Sequence, residues 1–189
     1  MTQPYGYGPP LAGPYYPPPP PTSPAGQPLA EFGDRVLAHL IDSAIMIAAI
    51  SVVAVVPGVV ILFRLMDDSM APYDSGPVDP ARFLLVGLAV ELGIGLVALA
   101  AYYVYSVELM FRTGQTVGKR AMKIRVVPID PRLALTRGTA AKRWAVGYLP
   151  SMLVPFWTLL DGLWQLWDKP YRQTLHDKAA QTVVIRVSP

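Results

Sequence analysis

An arginine, a histidine and an aspartate stand at i, i+4 and i+7 in the stretch Gly33-Asp-Arg-Val-Leu-Ala-His-Leu-Ile-Asp42. A helix places Arg35, His39 and Asp42 on one face. Asp42 then lies roughly 10 Å past the start of the apolar run that follows, at about 1.5 Å per residue. Glu91, Glu108 and Asp161 also fall inside apolar runs. Groups of this kind bind a cation, pass a proton, or hold helices together. A charge at the centre of a bilayer costs about 2.5–3.5 kcal/mol on insertion scales, so such acids are sheltered or functional.

Bond-making chemistry is poorly supported. The two histidines, His39 and His176, lack the His and acid spacing of a zinc site, and the chain has no cysteine. Ser43 follows Asp42 but has no nucleophile elbow around it. Gly114-Gln-Thr-Val-Gly118-Lys119-Arg120 looks like a phosphate loop at first sight. It has one residue too few between its glycines and no Ser or Thr after the lysine. The expectation is a tight basic cytoplasmic turn at the membrane exit, carrying Lys119 and Arg120, with Lys119 near lipid phosphates. No catalytic residue, metal or cofactor is expected, and the chain is not expected to be an enzyme.

The elements that position these groups are apolar blocks. Of 189 residues, 52% are hydrophobic and only 15% are charged. Mean hydropathy is +0.35 and the pI is about 9.2. The apolar residues gather into long runs, the signature of a membrane protein with the lipid bilayer as its partner. The basic residues flank those runs, so membrane topology explains them better than nucleic-acid binding.

Residues 1–30 hold eleven prolines, with Tyr5, Tyr7, Tyr15 and Tyr16 among them. That composition predicts a disordered tail with polyproline II stretches, without a cleavable signal peptide. It is either a solvated tail or a docking site for a protein partner. The remainder, 31–189, reads as one membrane domain.

Its first helix is expected over about 36–63, kinked or ended at Pro57 and Gly58. A polar loop at 64–82 follows. The second helix is expected over about 83–111. There Gly87, Glu91, Gly95, Ala98 and Tyr102 share a face that the first helix could approach closely. Glu108 is expected to pair with Arg35. Residues 112–143 carry nine Lys or Arg and one Asp, which places this segment and the N-terminus in the cytoplasm.

A third apolar run covers 144–167, interrupted by Gly147, Pro150 and Pro155. A full third span would leave the chain end outside, away from the basic loop. A broken, re-entrant or interfacial helix resolves this. It would also let strand candidates at 122–127 and 182–187 pair as a small hairpin-like sheet. Trp144, Trp157, Trp164 and Trp167 suit membrane interfaces. The expected fold class is all-α, membrane-embedded, with that small cytoplasmic sheet. His176 and Asp177 are expected to cap a short turn at 175–180 and tie it to Lys119 or Arg120.

Arg35 through Asp42, Thr116-Val-Gly-Lys-Arg-Ala-Met-Lys-Ile-Arg-Val-Val127, Arg143, Gln173-Thr-Leu-His-Asp177 and Thr182-Val-Val184 together resemble the RDD family of membrane proteins. The likeness covers about 30–187. The family is named for an arginine and two aspartates. The resemblance implies that Arg35 and Asp42 are the first two, and Asp177 the third, with Asp161 or Asp168 as alternatives. The usual Thr-Pro-Gly-Lys stands here as Thr116-Val-Gly-Lys119. A Pro-rich, Tyr-containing extension looks like that of actinobacterial members. The resemblance also implies a cell-membrane, multi-pass protein, and transport has been suggested for the family.

Two functions therefore compete. One is transport of ions or small solutes, cation against proton, through the buried acids. So narrow a bundle would need a homo-oligomer for its pathway. The other is a membrane adaptor or assembly subunit that recruits partners through the tail, its polar groups only holding helices together.

Overall fold

The structure is a computed structural model in which residues 20–70 and 80–187 are described. The first 19 residues of the expected tail and the centre of the expected outer loop, 71–79, lie outside the described residues.

Two long helices dominate. α1 is Phe32–Met70 and α2 is Pro80–Tyr103. α1 passes through Pro57 without ending. Proline is tolerated in membrane helices, where neighbours and local adjustment satisfy the freed carbonyl. The polar loop expected from residue 64 correspondingly shrinks, since helix continues to Met70. Apolar stretches long enough to cross a bilayer run over Phe32–Ile61 and Leu84–Thr113, the only two such among the described residues. α2 continues through a π-turn, Val104–Glu108, into α3, Leu109–Thr113. Gly114 at φ +71° ends that helix, with its N–H bonded to Met110 O. The left-handed conformation is why glycine stands there.

At this end the chain builds a small folded cap. α4 is Val117–Ala121, with Thr116 as its N-cap. Lys123 at φ +53° turns the chain into β1, Ile124–Pro128. The strand therefore starts two residues later than the alternating pattern suggests. α5 is Arg137–Tyr148, α6 Trp157–Leu163, α7 Leu175–Ala179, and β2 Thr182–Arg186. β1 and β2 pair antiparallel, Ile124 opposite Arg186 and Pro128 opposite Thr182.

A third segment joins them. Leu29 bridges Ile185, Ala30 N–H bonds Val184 O at 2.9 Å, and Arg186 N–H bonds Pro28 O at 2.9 Å. Leu29 and Ala30 are buried. Residues 20–30, assigned to the tail from their composition, thus belong to the fold. Their prolines sit at an edge, where a missing N–H is harmless. This segment and β1 pair the two edges of β2, while its faces are covered by side chains: Val184 packs with Ala38 and Val107, and Val183 and Ile185 pack with Leu29 and Tyr171. The core gathers Ala30, Ala38, Val107, Met110, Ile124, Val126, Ala140 and Val184.

The third apolar run is divided. After α5 come a 3-10 turn, Leu149–Met152, and then Phe156 at φ +62°, before α6. Pro150 and Pro155 interrupt the backbone ladder between them.

Candidate functional site

Two carboxylates organise the cap. The first is Asp42, one side of α1. Its Oδ1 accepts from Tyr105 OH at 2.6 Å and Gly118 N–H at 2.7 Å. Its Oδ2 accepts from Thr116 Oγ1 at 2.5 Å, with Lys119 Nζ at 4.0 Å. Tyr105 comes from the π-turn, a wider coil that recurs at functional sites. The other donors come from α4 and its N-cap.

The fit is close. A Cβ on Gly118 would stand 2.1 Å from Ala38 O and 2.8 Å from Asp42 Oδ1. Only glycine lets α4 lie on α1 at this depth. Lys119, expected among lipid phosphates, instead turns inward to Asp42. Burial lowers its pKa, with Asp42 opposing that shift and Arg143 adding to it. Arg120 is exposed.

The second carboxylate is Asp177, fully buried. It pairs with Arg143 through Oδ1 and with Arg35 Nη1 at 3.5 Å through Oδ2. Thr174 N–H also donates to Oδ2 at 3.2 Å, half of a capping box on α7. Arg143 contacts Thr182 Oγ1 as well. Arg35 Nη1 also donates to Arg172 O at 2.7 Å and Nη2 to Val184 O at 3.3 Å, while Nε has no partner. Burial alone would raise the Asp177 pKa. Arg143, His176, Arg35 and the Thr174 N–H together outweigh it and hold the carboxyl well below the usual range.

Asp177 therefore caps its short helix, as expected, but it is tied to Arg143 and Arg35, not to Lys119 or Arg120. Two arginines on one acid would carry excess charge, and the charges of Asp177, Arg35 and Arg143 all reach Lys119.

His176 belongs to a third pair. Its Nδ1 lies 2.5 Å from Asp161 Oδ2, and its backbone N–H donates to Asp161 Oδ1 at 2.9 Å. Asp161, one of the acids in the apolar runs, is thus buried with a partner. Asp168 is buried too, accepting from Gln173 N–H at 2.8 Å and Lys178 Nζ at 2.5 Å.

The remaining expected residues disperse. Glu108 does not meet Arg35. It pairs with Arg137 Nε at 2.7 Å and Arg112 Nε at 3.7 Å, while Arg137 also stacks over Phe111. α5 lies beside the π-turn and supplies that nearer arginine, while Arg35 is drawn to Asp177. His39 shares the Arg35 and Asp42 face but is exposed. Glu91 is exposed on α2, and Gly87 and Gly95 beside it have open space around them. The close approach of α1 expected there does not occur, because the helices are held together at Asp42 instead. Among the described residues, no three His, Cys, Asp or Glu side chains gather as a metal cradle.

Sequence reasoning did not single out Tyr105, and it named Thr116, Arg143 and Thr182 only as carriers of the family resemblance, without a partner for any of them. By composition Arg143 is one of nine basic residues in 112–143, and it borders the apolar run beginning at Trp144.

No curated protein and no solved structure matches this chain. A family model does, over residues 29–181, from the Leu29 bridge through α7 and to the edge of β2. By that match the chain belongs to the RDD family.

Proposed function

We propose that this RDD-family chain is a multi-pass cell-membrane protein that exchanges a cation against a proton, with Asp42 and Lys119 as the exchanging pair. The observation that carries this is a partly buried amine held 4.0 Å from the Asp42 carboxylate, which lies inside a candidate span. A lysine whose charge is disfavoured by burial gives up its proton readily. Losing it leaves Asp42 without a countercharge, and a cation can take that place. Arg35, on the same helix face as Asp42, is committed to Asp177. The nine basic residues of 112–143 support a cytoplasmic cap and N-terminus. A pathway needs a second copy, since two spans enclose no channel. No enzymatic reaction is proposed.

The test is cation-driven proton movement in vesicles containing the purified chain. Asp42→Asn and Lys119→Gln should each abolish it while the protein still inserts. Unchanged flux in Asp42→Asn would exclude the reading.

A second reading is a membrane adaptor or assembly subunit. It is favoured by the Asp42 oxygens being already satisfied by three donors, as in a structural clasp. Deleting residues 1–19 separates the two: an adaptor loses its partner, and a transporter keeps its flux.

A further inference from the structure

The run from Leu149 to Trp167 was set aside by the functional reading, yet it carries the largest apolar exposure in the cap. Leu153 is 87% exposed, Phe156 79% and Trp167 70%. Met152, Leu159, Leu160 and Leu166 are exposed beside them. Contiguous apolar surface of this kind marks a protein or membrane contact.

The sheet limits what can cover it. Residues 28–30, β1 and β2 are joined by backbone hydrogen bonds. Paired strands lie about 4.8 Å apart, whereas the hydrocarbon core is about 30 Å thick. All three segments therefore share one side of the membrane, and the chain between β1 and β2 makes no net crossing. Its longest helix, α5, has 12 residues. At about 1.5 Å per residue that is roughly 18 Å, too short to cross.

The run also begins beside a candidate membrane span. Tyr148 packs on Tyr102 at 4.7 Å between ring centroids, and Trp144 packs on Tyr103 at 5.1 Å. Both partners lie within the Leu84–Thr113 span. The ridge that follows Tyr148 starts where α2 is already apolar on its outside. The inner side of the run is tied to the cap: Trp157 Nε1 donates to Val146 O at 2.9 Å, and Asp161 holds His176. Only its outer side is free.

We infer that residues 149–167 form a wedge that enters the acyl layer of a single leaflet, the one facing the cap, and leaves it on the same side. Lipid chains are the occupant, because the ridge continues the lipid-facing surface of α2. The chain then crosses the membrane twice and ends where it began.

The absence of cysteine makes the test clean. Single substitutions Ser23→Cys, Leu153→Cys, Phe156→Cys and Val187→Cys are introduced in the full chain and reconstituted in vesicles of defined orientation. A membrane-impermeant thiol reagent should label Val187→Cys and Ser23→Cys from the same side after mild loosening of the cap. It should label Leu153→Cys and Phe156→Cys from neither side. Spin labels at 153 and 156 should be accessible to oxygen and shielded from a water-soluble relaxant. A reporter fused after Pro189 gives the side of the chain end without any buried substitution. A reporter opposite to the N-terminus would overturn the wedge, because it requires a third crossing. Free labelling at Phe156→Cys would overturn it in favour of a watery surface. Mutual broadening of the labels without oxygen access would overturn it in favour of a second copy. None of these outcomes depends on whether the chain moves ions.

Discussion

Gly118 and Gly95 are the same residue in two different surroundings. At Gly118 a Cβ would strike Ala38 O at 2.1 Å, whereas at Gly95 it would meet nothing within 4 Å. The first lies where α4 seats on α1 beside Asp42. The second lies on α2 next to the exposed Glu91. The contrast extends to the acids: Asp177 is fully buried between two arginines, and Glu91 stands open on its helix. The cap end is built like a soluble core, with jigsaw contacts and paired carboxylates, although Arg35 Nε, Arg143 Nε and Trp144 Nε1 are buried without a partner. The far halves of the helices hold their shape by their own backbone bonds and leave their surfaces to the surroundings.

The sharpest way to break this comparison is at Asp177. Asp177→Asn leaves Arg35 and Arg143 without their shared countercharge, and one-sided removal from a buried pair costs about 3–5 kcal/mol. Thermal unfolding in detergent should show that loss, while Glu91→Gln should leave the midpoint unchanged. The same carboxylate sets an acid limit. Its pKa is lower folded than the ordinary 3.8, so its contribution is complete above that value and is lost as pH falls through the folded one. Lys119 gives the same sign in a more alkaline range. Its folded pKa is below the ordinary 10.5, so the unfolded chain binds more protons and stability rises as pH climbs toward 10.5. Lys119→Met should remove that alkaline rise.

Next in size is the glycine pair itself. Gly118→Ala forces backbone apart and should cost about 1–3 kcal/mol or more, as overpacking does. Gly95→Ala should be neutral or stabilising by up to about 1 kcal/mol, from helix propensity alone. Equal losses at both sites would mean that α2 is packed against something at Gly95 after all.

The smallest effect is at the exposed rim of the cap. A double-mutant cycle on Glu108 and Arg137 should give a coupling of about 0.2–1 kcal/mol, since Arg137 is largely solvated. The cycle on Glu108 and Arg35 should be additive within about 0.3–0.5 kcal/mol. Coupling in that second cycle would restore the pair expected from their shared end of the helices.

Periodicity and composition carry far along this chain and then stop. The spacing of Arg35 and Asp42 put both on one helix face, but the face holds two separate sites. Arg35 reaches Asp177, 142 positions later by subtraction, and Asp42 reaches Thr116 and Gly118. Nothing local distinguishes Lys119, which turns inward, from Arg120, which does not. The prolines of 20–30 read as tail because composition records missing N–H donors. It does not record that Leu29 and Ala30 find an edge on β2.

What the amino-acid order determined by itself is the solvent of each segment: long apolar runs that water cannot accommodate, basic flanks beside them, breaks at Pro150 and Pro155, and strand-forming residues at both ends of the cap. Those are properties of single residues and their neighbours, so they are written locally. What only the tertiary structure decided is pairing: which arginine neutralises Asp177, which backbone N–H satisfies Asp42, which glycine must have no side chain. A buried charge settles on whatever donor the fold brings within about 3–4 Å, and that distance is set by chain segments far apart in sequence.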